Sequence, residues 1–335
     1  VGEKLKIISK VHQVICITHL APIAARGDYN YYISKNVKEE KTVTTIKQLN
    51  EEETINEIKR KAKKDFSKDK IPYTVALTSF VFALQMINFA IPQTGSSGHI
   101  IGGILLAILL GPSTAFLAMC SILIVQALLF ADGSLMALGC NIINLGALAC
   151  FVAYPLFYKP LEKLNKPFLG AFMASVVALQ LGSIGVVIEG ALSSSIAINS
   201  ILKFTGLMQA IHLPIGIVEG FLTGFAIYAA KKFDYKKLSI CFGTLGFVLA
   251  GFISQYASQK PDGLEWSLLN IQNSIIPQVQ GQLYAISQAV QAKTAILANI
   301  SSIPANILGL LAISLVMYGI CSLISLKKGA LLNEE

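Results

Sequence analysis

Two of the four histidines in this chain lie in its long apolar part, where an imidazole is a good ligand for nickel, cobalt or zinc. His99 stands at the centre of the segment PQTGSSGHIIGG, whose glycines let the backbone approach a ligand closely. His212 begins a later apolar segment, and Glu219 follows two helical turns further along the same face. The residues alone predict a polytopic transporter with a polar outward-facing site, and we expect His99 to have a functional role there.

Other polar residues are expected on the same side of the protein as the two histidines. Asp132 falls in a predicted turn, and Glu189 lies near the end of another apolar segment. Ionisable side chains within such segments are costly and usually face a cavity or a partner. His212 and Glu219 therefore either support the site or form a structural polar pair between helices, and both interpretations stay open at this point.

The charged residues are concentrated at the start of the chain. Residues 1–70 hold 25 of the 46 Asp, Glu, Lys and Arg residues, whereas residues 71–335 hold only 21. A soluble core of that size would carry more charge on its surface. Since about 20 apolar residues cross a bilayer as a helix, we predict an all-α polytopic membrane protein with about eight transmembrane segments. The predicted spans are 71–91, 100–112, 113–131, 134–157, 168–190, 208–230, 238–255 and 304–326.

The positions of the basic residues predict how these spans are oriented. The second span is short and glycine-rich, which is also typical of a half-helix or a re-entrant segment. If it crosses, the lysine clusters at 61–70, 159–166, 231–237 and 327–328 all lie on one side, which the positive-inside rule assigns to the cytoplasm. We therefore expect a multi-pass protein of the cell inner or plasma membrane, in contact with lipid, with both termini cytoplasmic.

The cysteines and the net charge predict no further chemistry. The six cysteines are scattered without CxxC spacing, so we expect small buried hydrophobic side chains rather than disulfides or a thiolate metal site. Lysines that flank the spans explain most of the net charge of +8. No nucleic-acid partner is expected.

Three separate blocks resemble the substrate-binding M component of the nickel/cobalt energy-coupling-factor (ECF) transporters. These blocks are GSSGHIIGGILLAILLGP, ALLFADGSLMALGCNIINLG and IHLPIGIVEGFLTG, and the resemblance runs from about Asp69 to Lys232. The segment PDGLEW (261–266) resembles part of the small N component of these systems, here fused to the M component. The resemblance implies a CbiM-like metal-binding membrane domain at 63–235. It also implies an N-component-like region at 236–335 with two spans and an outer loop.

This resemblance implies uptake of a cobalt or nickel ion as substrate, without an organic cofactor and without enzymatic activity in this chain. The implied partners are a transmembrane coupling subunit and two ABC ATPase subunits. In the family, nitrogen ligands hold the metal in a near-square-planar arrangement. They come from the free amino terminus, a histidine at the second position and the histidine of the glycine/serine loop, which is His99 here. Ser96, Ser97, His212 and Glu219 match motif positions that would shape or support the site.

The sequence departs from the family at its beginning. The family starts with Met-His at the outer face and continues into a further span, whereas this chain starts Val-Gly-Glu and has no apolar span before Lys63. The loss of several nitrogen ligands should weaken binding by orders of magnitude. The alternative function is therefore a non-functional or misassembled fusion of a DNA-repair ATPase tail to a metal-transporter component that lacks its Met-His terminus.

Residues 12–58 resemble the C-terminal end of the bacterial DNA-repair ATPase RecN, which predicts a short cytosolic α+β fragment at 1–62. The sequence predicts strands at QVICITH, YNYYIS and TVTTIKQL and a charged helix that Asn50 caps. The resemblance makes His19 a relic of a contact with the ATP γ-phosphate. Because the sequence has no phosphate-binding loop and no acidic magnesium pair, a DNA-repair ATPase is the disfavoured interpretation.

The polar segment 256–303 lies between the last two predicted spans. Its apolar residues recur at about helical spacing, which predicts one or two amphipathic helices broken at Pro277 and Gly281. By resemblance, such a loop reaches the metal site of the M component and assists loading. A passive connector is the alternative.

Overall fold

The computed structural model describes most of the chain and divides it into two compact units. One unit contains residues 1–71 and 321–335, and the other contains residues 72–320. The described residues are 5, 6, 8–16, 24, 26–38, 41–55, 57, 70–272 and 281–331. His19 and Pro277, for which the sequence made predictions, lie outside them.

The first unit contains an antiparallel hairpin of strands β1 (Tyr31–Lys38) and β2 (Lys41–Gln48). The tyrosine-rich and threonine-rich runs predicted both strands. Helical residues 51–55 follow, and Asn50 and Glu53 form a reciprocal capping box, with N–H to side-chain oxygen distances of 2.8 and 3.1 Å. The strand predicted at QVICITH is wrong over residues 13–16, which have no regular structure. A strand needs a hydrogen-bonded neighbour, and within the described part of this unit β1 and β2 pair only with each other.

The second unit is a helical bundle with two short strands. Its first helix is α1 (Ile71–Gln85), followed by the pair β3 (Phe89–Ala90) and β4 (Ser97–Gly98) and by the eight-residue helix α2 (Gly103–Leu110). The later helices are α3 (Pro112–Phe130), α4 (Leu135–Lys163), α5 (Pro167–Leu192), α6 (Ile198–Ala230), α7 (Tyr235–Tyr256), α8 (Gly263–Gln272), α9 (Gln282–Thr294) and α10 (Ser302–Leu331). Residues Ile142–Tyr158 of α4 are π-helical.

Six helices in the described ranges, α3 to α7 and α10, are long and apolar enough to cross a membrane. They confirm the all-α polytopic fold. The number of spans differs from the prediction at the first two segments, because α1 has only 15 residues and α2 only eight. At 1.5 Å per residue α2 extends about 12 Å, well short of the roughly 30 Å hydrocarbon thickness. The segment 100–112 is therefore a half-helix, not a full crossing.

Segment 256–303 is helical over much of its length. It contains α8 and α9, and Gly281 directly precedes α9, as the spacing of apolar residues predicted. Leu268 of α8 is 2% exposed and packs with Phe204 and Met208 of α6. Beside this cluster, Ile211 and Ile215 of α6 form a second core that Trp266 of α8 helps to cover. Helix α8 is thus part of the packed bundle.

Candidate metal-binding site

Residues 94–103 carry His99 and form what we call the His99 loop, and Glu219 of α6 holds its backbone. Glu219 is 1% exposed. Its Oε2 accepts the N–H of Ile101 at 2.8 Å, and its Oε1 accepts the N–H of Gly102 at 3.1 Å. These N–H groups lie at the N-terminus of α2, where the first backbone N–H groups of a helix have no acceptor within the helix. The helix dipole also favours a negative charge such as the Glu219 carboxylate at this end. Gly102 has φ +73°, and a Cβ there would lie 2.7 Å from Val81.

Two glutamines bind the carbonyl side of the peptide bond between Ile101 and Gly102, one directly and one through the other. Gln85 of α1 donates through Nε2 to the carbonyl oxygen of Ile101 at 2.7 Å, and Gln126 of α3 donates to Gln85 Oε1 at 3.0 Å. Both glutamines are about 95% buried. The irregular backbone of the His99 loop is therefore satisfied by buried side chains from two helices, α6 and α1, and Gln126 of α3 holds Gln85 in place. This is the condition under which non-helical backbone is tolerated inside a membrane.

Residues 260–266, which we call the PDGLE segment, begin α8 with a second capping box. Asp262 Oδ1 accepts the N–H of Glu265 at 2.8 Å, and Glu265 Oε2 accepts the N–H of Asp262 at 3.2 Å. The acidic residues at the second and fifth positions of PDGLE thus have a local structural reason, since together they satisfy two backbone donors at the start of the helix.

The PDGLE segment is hydrogen-bonded along the His99 loop. Ser97 donates from its backbone N–H to Pro261 O at 2.8 Å and from Oγ to Lys260 O at 2.7 Å. Ser96 Oγ lies 3.3 Å from Pro261 O, and Trp266 Nε1 donates to Thr94 O at 2.9 Å. Both serines are fully buried. We call this set of hydrogen bonds the clamp.

His212 of α6 packs against Gly263 of the PDGLE segment. Its Nδ1 lies 2.7 Å from Met208 O, and since a carbonyl can only accept, Nδ1 carries the proton and Nε2 keeps its lone pair. A Cβ on Gly263 would lie 2.9 Å from His212 Cε1 and 3.3 Å from Nε2. Only glycine leaves room for the imidazole at that position of the motif.

The structure brings His99 and His212 close enough to interact electrostatically with each other. The charge of Asp262 also interacts electrostatically with His212, and the charges of His99 and Asp262 both interact with Asp132. The Asp132 side chain reaches solvent, but the protein packed around it partly desolvates the carboxyl and so raises its pKa above the ordinary value; the charge of His99 lowers this pKa, and Asp262 raises it. In the part of the chain that the structure describes, no three His, Cys, Asp or Glu side chains converge tightly enough to hold a metal ion.

The predicted site residues separate into two groups in the structure. His99 and His212 lie near each other with half-buried rings, whereas Ser96, Ser97 and Glu219 are buried and bind backbone. Glu189 is not part of the group, because its Oε2 accepts the side-chain N–H of Asn144 at 3.0 Å.

Sequence reasoning missed the roles of four other residues, namely Gln85, Gln126, Asp262 and Trp266. Two signals were available. Glutamines inside apolar spans indicate a buried polar partner. The D-x-x-E spacing in PDGLE is that of a capping box.

Comparison with known proteins shows the family. Residues 55–236, more than half of the chain, match the family described as the cobalt uptake substrate-specific transmembrane region. The chain belongs to this family. Residues 236–326 match the PDGLE domain family. The clamp therefore joins the His99 loop of the cobalt-uptake region to the PDGLE region of the same chain.

Two transport proteins among the relatives agree with this assignment. A protein of Archaeoglobus fulgidus named as the fused nickel transport protein NikMN is 40% identical over 152 residues, which is 45% of this chain and 50% of that protein. The cobalt transport protein CbiM of Lachnoclostridium phytofermentans is 31% identical over 194 residues, which is 56% of this chain and 76% of that protein. A crystal structure of a truncated transition-metal transporter is 30% identical and covers 53% of this chain and 88% of its own, with a TM-score of 0.45.

Together, the six apolar helices and the family describe a multi-pass membrane protein. The match spans half the length of the NikMN relative. Residues 12–54 lie outside both family matches, so the resemblance to the DNA-repair ATPase stays a prediction.

Proposed function

We propose that this chain is the metal-binding membrane component of a cobalt or nickel uptake transporter, with its PDGLE region fused to it. The observation that carries the proposal is the clamp. Four hydrogen bonds from Ser96, Ser97 and Trp266 hold the PDGLE segment on the His99 loop, and Gly263 then lies on His212. The outer loop thus has a specific binding surface around the two histidines, which favours a role in metal loading over that of a passive connector.

His99 is the residue to which we assign metal binding. Its imidazole provides a nitrogen ligand of the type that cobalt and nickel accept. His212 is a second nitrogen donor, because its Nδ1–H is used by Met208 O and Nε2 remains available. Ser96, Ser97 and Glu219 support the site indirectly, since they position the PDGLE segment and the backbone of the His99 loop.

The proposed topology has both termini in the cytoplasm. Glu219 lies eleven residues before Ala230, the end of α6 next to Lys231 and Lys232, which is about 17 Å along the helix. Helix α2 begins level with Glu219 and packs along the π-helical part of α4. Its length of about 12 Å carries the chain most of the way to the lysine side. The buried His99 loop and the half-helix together would therefore complete one crossing, which keeps all four basic clusters on one side.

The proposed partners are a transmembrane coupling subunit and two ABC ATPase subunits. The relatives carry the names of transport proteins, which supports uptake over the alternative of a non-functional fusion and over an enzymatic role. We also propose the domain limits 63–235 and 236–335 for the two membrane parts, and a DNA-repair ATPase-like fragment at 1–62 with His19 as a relic.

Metal accumulation in cells tests the proposal. Cells that express the chain with the coupling and ATPase subunits of a cobalt transporter should accumulate radioactive cobalt or nickel above cells without the chain. The His99→Ala variant should lose most of this gain. His12→Ala provides the matched control, because His12 is exposed in the other unit and has no proposed role in metal binding. Equal accumulation by the wild-type and His99→Ala proteins would contradict the assignment of His99.

A further inference from the structure

A polar cavity of about 290 Å³ lies between the cobalt-uptake region and the PDGLE region. Its lining includes Asn88 and Asp132 from the first region and Gln259, Ser302 and Asn306 from the second. Among the described residues that line it, Asp132 is the one ionisable group, and none is Lys or Arg. Oxygen atoms of carboxylate, amide and hydroxyl groups therefore dominate its polar surface.

Asn306 presents to the cavity an amide that is unpaired among the described residues. The residue is only 5% exposed, and its side chain lines the cavity. Within the described ranges neither its amide nor the carboxylate of Asp132 makes a hydrogen bond. Buried amides in folded proteins almost always have a partner, because an unpaired one is costly. The Asn306 amide still reaches the solvent of this open cavity, so water or a bound ligand can be its partner.

The turn that carries Asp132 is fixed by the outer loop. Gln291 of α9 is 5% exposed and donates through Nε2 to Ala127 O at 3.0 Å and to Gly133 O at 2.7 Å. The N–H of Leu297 donates to Leu129 O at 2.9 Å. The carboxylate is therefore positioned by contacts across the interface between the two regions, in addition to its own short turn.

From this geometry we propose that the cavity is an outer binding site for a hydrated divalent cation, held by Asp132, Asn306 and Asn88. Carboxylate and amide oxygens are the ligands that hard, water-retaining divalent cations prefer. At about 30 Å³ per water molecule, a shell of six waters needs about 180 Å³, which the cavity accommodates. The N-terminus of α10 at Ser302 carries a partial positive charge, which disfavours cation binding. This partial charge is smaller than the full negative charge of Asp132.

This inference rests on the proposed uptake function and adds a step to it. Asp132 lines the cavity and lies close enough to His99 for their charges to interact, although His99 itself is not part of the lining. A cation would first bind there with its water shell and would then exchange water for the imidazole of His99. The cavity should therefore raise the rate of loading more than the final affinity.

Manganese, which favours oxygen ligands, tests the cavity separately from the histidines. The full chain carrying His99→Ala is titrated in detergent, and free Mn²⁺ is followed by its electron paramagnetic resonance signal. We expect one saturable Mn²⁺ per chain, a Kd at least tenfold higher when Asp132→Asn is added, and a several-fold higher Kd with Asn306→Leu. Asp234→Asn makes the same charge change at an exposed helix cap that asparagine also satisfies, and it should leave the Kd unchanged.

The two proposals fail in different ways. No saturable Mn²⁺ site, or the same Kd with and without Asp132→Asn at an unchanged melting temperature, would overturn the cavity as a cation site. Nickel binding that survives His99→Ala would instead overturn the proposed histidine site. In the chain with His99 intact, Asp132→Asn should slow nickel loading at least tenfold while the equilibrium Kd for nickel changes less than threefold. Equal fold-changes in the rate of nickel loading and in the equilibrium Kd for nickel would overturn the loading step.

Discussion

Glu219 is the most sharply testable residue of the site, because a single buried carboxylate binds two backbone N–H groups of the His99 loop. Glutamine has nearly the same shape but only one acceptor oxygen, so Glu219→Gln would replace one accepting oxygen with an NH₂ group. That group would face the N–H of Ile101 or Gly102, and one donor would be left unpaired inside the bundle.

The expected magnitude follows from the energy of the lost bond. A hydrogen bond to a charged group contributes about 1.5–3 kcal/mol. Since about 1.4 kcal/mol corresponds to a factor of ten in an equilibrium constant, the local opening of the loop should become roughly 10- to 150-fold more favourable. Amide hydrogen exchange measures this opening directly, because the exchange rate follows the population of the open state.

Hydrogen exchange followed by mass spectrometry on peptides covering residues 98–105 provides the assay. Glu189→Gln is the matched control, since that half-buried carboxylate accepts a side-chain N–H of Asn144 and does not contact the loop. The control should leave the exchange of the loop unchanged. If Glu219→Gln raises exchange by less than about threefold, or if both variants raise it equally, the carboxylate does not hold the loop as we describe.

Three further substitutions test the clamp. Ser97→Ala removes the 2.7 Å bond from its hydroxyl, worth about 0.5–1.5 kcal/mol, so exchange of residues 258–268 should rise roughly 2- to 12-fold; unchanged exchange would refute this contact. Gly263→Ala should displace the His212 ring, change its NMR signals and lower nickel affinity. The control Gly206→Ala adds a methyl group to open space on α6, the helix that carries His212, and should stabilise the protein by up to about 1 kcal/mol; similar melting temperatures for the two alanine variants would argue against the close contact. Trp266→Phe keeps the apolar packing but loses the indole donor, so thermal unfolding should show a loss of about 0.5–1.5 kcal/mol; a loss near zero would mean that the bond is not formed in solution.

Much of the fold could be predicted from the sequence because its signals are local. Runs of apolar residues predicted the long helices, and a tyrosine-rich run and a threonine-rich run predicted β1 and β2. The cap at Asn50 and the break at Gly281 also follow from a few neighbouring residues. The end of the half-helix α2 also follows from a local signal, the Gly111–Pro112 step. Its start at Gly103 was less predictable, since Glu219 of a distant helix binds the backbone just before it.

The candidate site was only partly predictable because its essential contacts join distant parts of the chain. Ser97 and Lys260 are 163 positions apart, and no local pattern reports that they meet. The glycine/serine loop correctly drew attention to His99. The sequence could not show that the neighbouring hydroxyls bind the PDGLE segment, because a serine beside a histidine looks the same whether it faces a metal or a carbonyl.

Stoichiometric metal binding by the purified full chain tests the central claim most directly. The chain is equilibrated with nickel or cobalt in detergent, excess metal is removed, and bound metal per chain is measured for the wild-type protein, His99→Ala, His212→Ala and the control His12→Ala. We predict close to one metal ion per chain for the wild type and the control, little for His99→Ala, and a reduced amount for His212→Ala. Equal metal content in the wild-type and His99→Ala proteins, whether high or negligible, would contradict the account.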